Sequence, residues 1–234
     1  MFWSKIGHFR SISAIFEYFQ PFSRHFCKTT LNLDLSIFRL LPELEYLDLS
    51  KNRITEIDKT CFYDNRRENS KNHEIRPEPP KTSKTPQNRL KTLDLSGNSK
   101  LSKIPTLYLL KYLEKLILSE TQISNLSFLT QNLENLSYLD VSNCKITDFE
   151  FLHGLKLLES LKNINCYKNP VEISIEYRCK LIAYCTWNIL DRKMCRLVVD
   201  GRAVKISEMR TADVIQAVEE CKAEDLRART DNYM

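Results

Sequence analysis

Glycine is scarce in this chain, with four glycines in 234 residues. Loops that cradle phosphate groups need closely spaced glycines, and neither GxxxxGKS/T nor GxGxxG occurs in the sequence. The HExxH pattern of zinc peptidases and the GxSxG pattern of serine hydrolases are also missing. The four histidines are scattered, at His8, His25, His73 and His153. We therefore expect a protein that is not an enzyme, with no catalytic residue and no cofactor.

Long apolar runs are missing as well. No stretch approaches the roughly 18 uninterrupted apolar residues that a membrane-spanning helix needs. The N-terminal region lacks the continuous apolar run and cleavage site of a secretory signal. We therefore expect no transmembrane segment and a cytoplasmic location, with the nucleus and the cilium as alternatives and the mitochondrion as a less favoured one.

Metal-ligand patterns are missing among the eight cysteines. No Cys-x-x-Cys occurs, and no cysteine and histidine stand at zinc-finger spacing, so we expect no metal site. Several cysteines fall where a buried apolar residue is expected, which predicts reduced and mostly buried thiols. The net charge of +5 is modest and the basic residues form no dense block, so charge gives little support to nucleic-acid binding.

A short phrase does recur. LDLS stands at Leu47–Ser50 and again at Leu93–Ser96, and the variants LILS and LDVS stand at Leu116–Ser119 and Leu139–Ser142. The leucines that open the successive units are Leu44, Leu90, Leu113, Leu136 and Leu161. The steps between them are 46, 23, 23 and 25 residues. A nearly fixed period of this length indicates a stack of structural repeats.

One frame holds in all five units, and in the first unit it consists of Leu44, Leu47, Leu49, Asn52 and Ile54. It resembles the pattern L-x-x-L-x-L-x-x-N/C-x-L of the leucine-rich repeat family over about residues 44–171. The resemblance implies an α/β solenoid with a short-stranded parallel sheet on its concave face and helical caps.

The alternation of each phrase predicts a short strand. In the first unit Leu47 and Leu49 point to the interior while Asp48 points to the opposite face. The chain then bends sharply, which leaves backbone groups between coils without partners in the sheet. A polar side chain must bond them, and we expect one residue of each unit to do so. These residues are Asn52, Asn98, Thr121, Cys144 and Asn169.

The chain after Asn169-Pro170 resembles the C-terminal cap of intracellular leucine-rich repeat proteins. Tyr177-Arg178, Val199-Asp200-Gly201 and Glu208 stand where that cap has similar residues. Five apolar residues are predicted to cover the last coil: Ile175, Leu181, Ile182, Trp187 and Leu190. Beyond Ser207 the spacing of Val214, Ile215, Val218 and Cys221 predicts an amphipathic helix that packs by that face, with partner binding as the alternative.

The sequence thus divides into four parts. Residues 1–29 have apolar residues at helical spacing and are predicted to form an amphipathic arm or cap. Residues 30–171 carry the repeats, interrupted by a proline-rich, polar stretch at 64–88 that is either a flexible insertion or an eroded repeat. Residues 172–206 form the predicted repeat cap, and 207–234 form the predicted C-terminal helix and tail.

Outward strand positions should stack into columns on the concave face. The first column is Tyr46, Thr92, Lys115, Tyr138 and Asn163. The second is Asp48, Asp94, Ile117, Asp140 and Asn165. A third runs through Ser50, Ser96, Ser119, Ser142 and Tyr167. Tyrosines beside carboxylates favour a protein-binding surface, and we take the first two columns and Tyr167 as the candidate site. Aspartates that only keep the sheet soluble are the alternative.

These features predict a non-enzymatic adaptor or scaffold that binds another protein on its concave face and is otherwise monomeric. The resemblance covers capped members such as the phosphatase regulatory repeats, the spliceosomal A-prime protein and the axonemal dynein light chain type. It therefore leaves two alternatives open. One is a ribonucleoprotein-associated subunit, and the other is a regulatory or targeting subunit of an enzyme such as a phosphatase or a dynein motor.

Overall fold

The computed structural model describes residues 44–57, 89–104, 107, 110–129, 133–186 and 196–231, with side chains up to residue 224. Two predicted features lie outside these residues: the arm at 1–29 and the insertion at 64–88. The division of the chain into four parts therefore remains a prediction.

Within the described residues, seven short strands form one sheet in chain order. The strands of the repeats are β1 (Tyr46–Asp48), β2 (Thr92–Asp94), β3 (Lys115–Ile117), β4 (Tyr138–Asp140) and β5 (Asn163–Asn165). They pair in parallel, and each step of the register joins equivalent positions of neighbouring units. β6 (Val198–Val199) continues the parallel pairing, and β7 (Arg202–Ala203) returns antiparallel to it. The predicted parallel sheet and repeat register are confirmed.

The strands bury one side chain and expose its two neighbours, as the alternation predicts. The central residue of each repeat strand is fully buried, at Leu47, Leu93, Leu116, Leu139 and Ile164. The leucines that open and follow the strands join them in one core. Because this apolar interior is shared between coils, each repeat depends on its neighbours for burial.

Asn98 ties two coils together from a fully buried position. Its Nδ2 donates to the carbonyl oxygens of Leu49 at 2.9 Å and Leu95 at 2.7 Å. Its Oδ1 accepts from the amide of Ile54 at 3.1 Å. One side chain therefore satisfies three backbone groups, two of them in the preceding coil.

Asn169 repeats this arrangement at the end of the stack. It donates to the carbonyl oxygens of Val141 and Cys166, both at 2.8 Å, and accepts from the amide of Ile146 at 3.1 Å. Asn52 differs, because it is exposed and both of its acceptors, the carbonyl oxygens of Leu49 and Ser50, belong to its own coil. The expectation that Asn52 fills a buried place between coils is wrong.

Thr121 and Cys144 occupy the equivalent positions of the third and fourth units, and both are buried. The Thr121 hydroxyl donates to the Leu118 carbonyl at 2.8 Å, and the Cys144 thiol donates to the same carbonyl at 3.2 Å. Burial raises the pKa of the Cys144 thiol. Because a neutral buried thiol is a poor nucleophile, Cys144 serves the structure of the coil.

The turn that follows each strand contains one residue with positive φ. These residues are Lys51, Gly97, Glu120, Asn143 and Lys168. Four of their amides continue the sheet bonding, as where the Gly97 amide donates to the Ser119 carbonyl at 2.8 Å, whereas the Lys168 amide donates to the Glu172 carboxylate. The left-handed conformation costs a non-glycine residue about 1–2 kcal/mol, so the stacking of coils holds four of these residues in it.

A 3-10 helix, Phe149–Leu157, follows the fourth coil. Asp148 caps it by accepting a hydrogen bond from the Glu150 amide at 3.0 Å. Gly154 lies against the preceding coil, where a Cβ atom would stand 2.2 Å from the Leu126 carbonyl oxygen. Glycine at this position lets the two coils approach closely. A second 3-10 helix, Pro170–Ile173, begins directly after Asn169.

Two α-helices close the end of the solenoid: α1 (Tyr177–Cys185) and α2 (Ile206–Asp231). α1 buries Leu181 and Ile182 against the last coils, as predicted. Ile175 does not cover the core, because it lies before the helix begins and is fully exposed. The prediction for Ile175 is therefore wrong, and Tyr177 takes the buried place. Trp187 and Leu190 lie outside the described residues.

Only part of the predicted face of α2 packs against the core. Ile215 is partly buried against it, as predicted, and Ala212 is fully buried, but Val214, Val218 and Cys221 are exposed. Polar contacts orient the helix, because Glu208 bonds Arg178 of α1 and Glu219 bonds Lys156 and Tyr184. The prediction weighed apolar spacing alone and so was wrong for Val214, Val218 and Cys221. Within the described part of the chain, no helix is long and apolar enough to span a membrane.

Candidate functional site

The two predicted columns lie side by side across β1 to β5. Register pairs place Tyr46, Thr92, Lys115, Tyr138 and Asn163 in the first column. The second column contains Asp48, Asp94, Ile117, Asp140 and Asn165. We call these ten residues and Tyr167 the concave face. All eleven are at least partly accessible to solvent. The structure therefore brings every predicted site residue together on one surface, whereas Ser142 of the third column is buried.

The aspartates of the second column shape the turns after their strands. One carboxylate oxygen of Asp48 accepts from the Ser50 amide at 2.8 Å. The equivalent oxygen of Asp94 accepts from the Ser96 amide at 2.9 Å. The repeated Asp-x-Ser pattern therefore has a structural cause, the hydrogen bond from the serine amide to the aspartate carboxylate, which the sequence analysis missed. Each bond uses Oδ1, and the second oxygen of each carboxylate accepts no hydrogen bond from the described residues.

Asp140 is engaged on both oxygens. Its Oδ1 accepts from the Ser142 amide at 3.0 Å and from the Ser142 hydroxyl at 2.7 Å. Its Oδ2 accepts from Asn165 Nδ2 at 3.1 Å and from the Tyr138 hydroxyl at 3.5 Å. Asn165 also donates to the Tyr138 hydroxyl oxygen at 3.1 Å. Tyr138, Asp140, Ser142 and Asn165 therefore form one bonded cluster that holds their side chains in place.

Tyr138 stands at the centre of this part of the surface. The Lys115 ammonium lies 4.7 Å from the centre of its ring, in the geometry of a cation–π contact. Burial, and then the charge of Asp140, raise the pKa of the Tyr138 hydroxyl above its ordinary value. Because the phenol stays neutral at physiological pH, it acts as a hydrogen-bond donor on the surface.

Tyr46 and Tyr167 are the most exposed aromatic groups of the concave face, at 41% and 38% of their surface. Partial burial and the charges of Asp48 and Asp94 raise the pKa of the Tyr46 hydroxyl. The amide of Tyr167 donates to Asp200 of the turn between β6 and β7 at 3.1 Å. The repeat cap therefore fixes the backbone at one end of the candidate site, a link that the sequence did not reveal.

A salt bridge borders the first column, where Lys91 Nζ lies 3.1 Å from Glu45 Oε2. Both side chains are exposed, so this pair contributes little to stability. Its main effect is that the charges of Lys91 and Glu45 compensate each other. Among the described residues, no group of three or more His, Cys, Asp or Glu side chains could hold a metal ion. The accessible chemistry of the concave face is therefore carboxylates, phenols, amides and one lysine.

Family models match the chain where the frame was found. The model "Leucine Rich Repeat" matches residues 43–65 and 89–108, and "Leucine Rich repeats (2 copies)" matches residues 113–153. The chain contains leucine-rich repeats. The matched residues include β1 to β4 and most of the concave face, so the candidate site is built on the repeats themselves.

Two relatives are similar to part of the chain. Tubulin-specific chaperone E of Homo sapiens is 37% identical over 92 residues, which is 35% of this chain and 17% of that protein. The protein of the same name from Pongo abelii is 36% identical over 92 residues with the same coverage. The match thus covers about a sixth of the length of these relatives.

Solved structures of leucine-rich repeat proteins are similar to this chain. The Drosophila melanogaster SNF/U2A' complex matches with a TM-score of 0.49 and 21% identity over 72% of this chain and 79% of the other. Internalin C2 of Listeria monocytogenes matches with a TM-score of 0.39 and 24% identity over 74% of this chain and 69% of the other.

Proposed function

We propose that this protein is a non-enzymatic adaptor that binds another protein on its concave face. The supporting observation is the pair of columns across five neighbouring strands, in which tyrosines stand beside carboxylates. Tyrosine combines a large apolar ring with a polar tip and is enriched at protein interfaces. Leucine-rich repeats suit this role because the buried leucines fix the sheet while the outward positions are free to vary.

The bonded cluster around Asp140 supports the proposal energetically. Tyr138 and Asn165 are held by hydrogen bonds before any partner arrives, so binding would immobilise few additional rotatable bonds. Ordering a free side chain costs about 0.5–1.5 kcal/mol on association. A surface that is already ordered avoids part of this cost, and the exposed Tyr167 lies beside it for contact.

Tubulin is the first partner to test. The name of the human relative is tubulin-specific chaperone E, and the similarity to it extends over 92 residues. Because the match covers 17% of that protein, tubulin binding by this chain is a proposal that requires a direct measurement. Purified tubulin and the full chain, mixed and measured by analytical ultracentrifugation, would give the binding constant.

The test of the concave face uses affinity purification with mass spectrometry from the cells that express the protein. We compare wild type with the double variant Tyr138→Ala plus Asp140→Arg and with the milder variant Tyr46→Ala. The control is Glu150→Arg, which changes an exposed charge on the first 3-10 helix. We expect loss of a specific partner in both concave variants and retention in the control. Retention of every partner by folded concave variants would show that the concave face is not the site.

Tyr46→Ala serves a second purpose, because Asp140 takes part in four hydrogen bonds and its replacement risks unfolding the fourth coil. The Tyr46 side chain makes no hydrogen bond to the described residues. Its loss should therefore lower the melting temperature less than the replacement of Asp140 does. A cytoplasmic location likewise stays a proposal, to be tested by fluorescence microscopy of the tagged full chain.

A further inference from the structure

The three aspartates of the second column are not equivalent. Asp140 accepts hydrogen bonds on both oxygens, from Ser142, Asn165 and Tyr138. Asp48 and Asp94 use one oxygen each, for the Ser50 and Ser96 amides. Within the described residues, no lysine, arginine or histidine forms a salt bridge with either of them. Negative charge that is not compensated within the described structure therefore collects at the β1–β2 end of the concave face.

The two carboxylates are direct neighbours. Asp48 and Asp94 are register partners on the parallel strands β1 and β2. Neighbouring strands lie about 4.8 Å apart, so the two side chains leave the sheet side by side. Like charges directly opposite each other destabilise a strand pair. A cation placed between the two carboxylates would offset this repulsion.

An aromatic ring completes this end of the surface. Tyr46 precedes Asp48 by two residues, so both side chains lie on the same face of β1, and 41% of Tyr46 is exposed. Burial, and then the charges of Asp48 and Asp94, raise the pKa of the Tyr46 hydroxyl, as expected for three groups near one another on neighbouring strands. The nearby cations Lys91 and Lys115 contact Glu45 and the Tyr138 ring instead.

We propose that the β1–β2 end of the concave face binds an arginine side chain presented by a polypeptide partner, with Asp48 and Asp94 as its acceptors and Tyr46 as its stacking surface. The inference rests on the proposed function, because it names the chemistry of the partner at that same face. The supporting observation is the negative charge of Asp48 and Asp94, which complements the positive charge of a guanidinium group. The Asp140 cluster forms the other end and supplies hydrogen bonds instead of uncompensated charge.

Arginine fits this arrangement better than lysine. A guanidinium group is planar, carries five N–H donors and can bridge two acceptors, and its flat face stacks on aromatic rings. An ammonium group is a compact and strongly hydrated point charge without that shape. Two carboxylates on strands about 4.8 Å apart, next to an exposed phenol ring, therefore favour the guanidinium.

The test uses two blocked peptides, Ac-Gly-Arg-Gly-Arg-Gly-NH2 and its lysine counterpart, added to the isotope-labelled full chain and followed by NMR. The arginine peptide should shift the amide signals of Tyr46, Asp48 and Asp94 and bind several-fold more tightly than the lysine peptide. The double variant Asp48→Asn plus Asp94→Asn should weaken the arginine peptide about tenfold, the loss of roughly one charge-assisted pair. Asparagine keeps the Oδ1 acceptor for the serine amides, so the fold is preserved.

Asp140→Asn is the control, because it removes one carboxylate charge from the same column but leaves Asp48 and Asp94 intact, and it should change peptide binding less than about twofold. Equal binding of the two peptides would overturn the arginine site, as would an equal loss in the Asp140 control or signal shifts confined to other strands. If a protein partner is lost in Tyr138→Ala plus Asp140→Arg while the peptides fail, only the arginine inference is wrong. If both tests fail, the proposed function fails with it.

Discussion

The Tyr177 hydroxyl donates a hydrogen bond to Asp200 Oδ2 at 2.9 Å, and so joins α1 to the hairpin that ends the sheet. The other oxygen of Asp200 accepts from the amides of Cys166 and Tyr167 at 2.8 and 3.1 Å. One carboxylate thus satisfies two amides at the end of the last repeat strand and one phenol of the cap. The capping of the solenoid and the end of the concave face depend on the same residue.

Replacing Tyr177 with phenylalanine tests the hydrogen bond between the Tyr177 hydroxyl and Asp200. The change leaves one oxygen of Asp200 without its phenol donor in a partly buried site. We expect a loss of about 1–3 kcal/mol in the free energy of unfolding, measured by urea denaturation. Tyr167→Phe is the control, because its hydroxyl is exposed and forms no hydrogen bond within the described residues. A loss of equal size in both variants would contradict the structural role of the Tyr177 hydroxyl.

The pH dependence of stability should report the pair between Arg178 and Glu208. The hydrogen bond from Arg178 is the largest cause that holds the pKa of Glu208 below its ordinary value of 4.5. A carboxyl whose pKa is lowered on folding stabilises the protein above its unfolded pKa, and this stability is lost as pH falls through the folded pKa. We expect thermal unfolding scans from pH 7 down to about pH 3 to show this loss in wild type and a smaller loss in Glu208→Gln. An unchanged pH profile in Glu208→Gln would exclude Glu208 as a source of the loss.

Asn98 and Asn52 form a matched pair, because they hold the same position in successive units of the frame. Asn98→Ala removes three hydrogen bonds and leaves the buried Leu49 carbonyl and Ile54 amide without this partner. We expect a cost of about 2–4 kcal/mol in unfolding free energy. Asn52→Ala should cost less than about 1 kcal/mol, because Asn52 is exposed and water can replace its bonds. Similar costs for both would mean that the bonds between coils add nothing.

Gly154→Ala tests the close approach of the 3-10 helix to the third coil. The added Cβ atom would stand 2.2 Å from the Leu126 carbonyl oxygen, so the backbone must move apart. Overpacking of this kind costs about 1–3 kcal/mol, which chemical denaturation can measure. Gly201→Ala meets no atom within 4 Å and should show only the cost of its positive φ. A neutral Gly154→Ala would show that the coils are loosely packed there.

Much of the fold was predictable because the repeat fixes both the face of the strand on which a residue lies and the strand that lies next to it. The two-residue alternation decided which side of the strand Leu47 faces, and the 23-residue step between Leu93 and Leu116 decided the strand neighbours. The same logic placed all eleven candidate residues on one surface. Their role in binding stays a prediction, since the geometry of a surface does not name its partner.

Two of the predictions that failed lie where the repeat no longer constrains the chain. Apolar spacing assigned Val214 and Val218 to the packed face of α2, but the helix is oriented by Glu208 and Glu219, whose partners are distant in sequence. Ile175 looked like a core residue, yet the turn before α1 directs it to solvent. Single-residue hydrophobicity could not reveal these tertiary polar contacts, and it missed the Asp200 joint for the same reason.

The most direct test of a protein-binding concave face is site-specific photo-cross-linking in the full chain. A photoreactive phenylalanine derivative at Thr92, in the first column, should cross-link the partner recovered by affinity purification, as identified by mass spectrometry. The same group at Glu150, on the 3-10 helix, should not cross-link that partner. Cross-links from Glu150 with none from Thr92 would contradict the account and place the binding surface on another side of the solenoid.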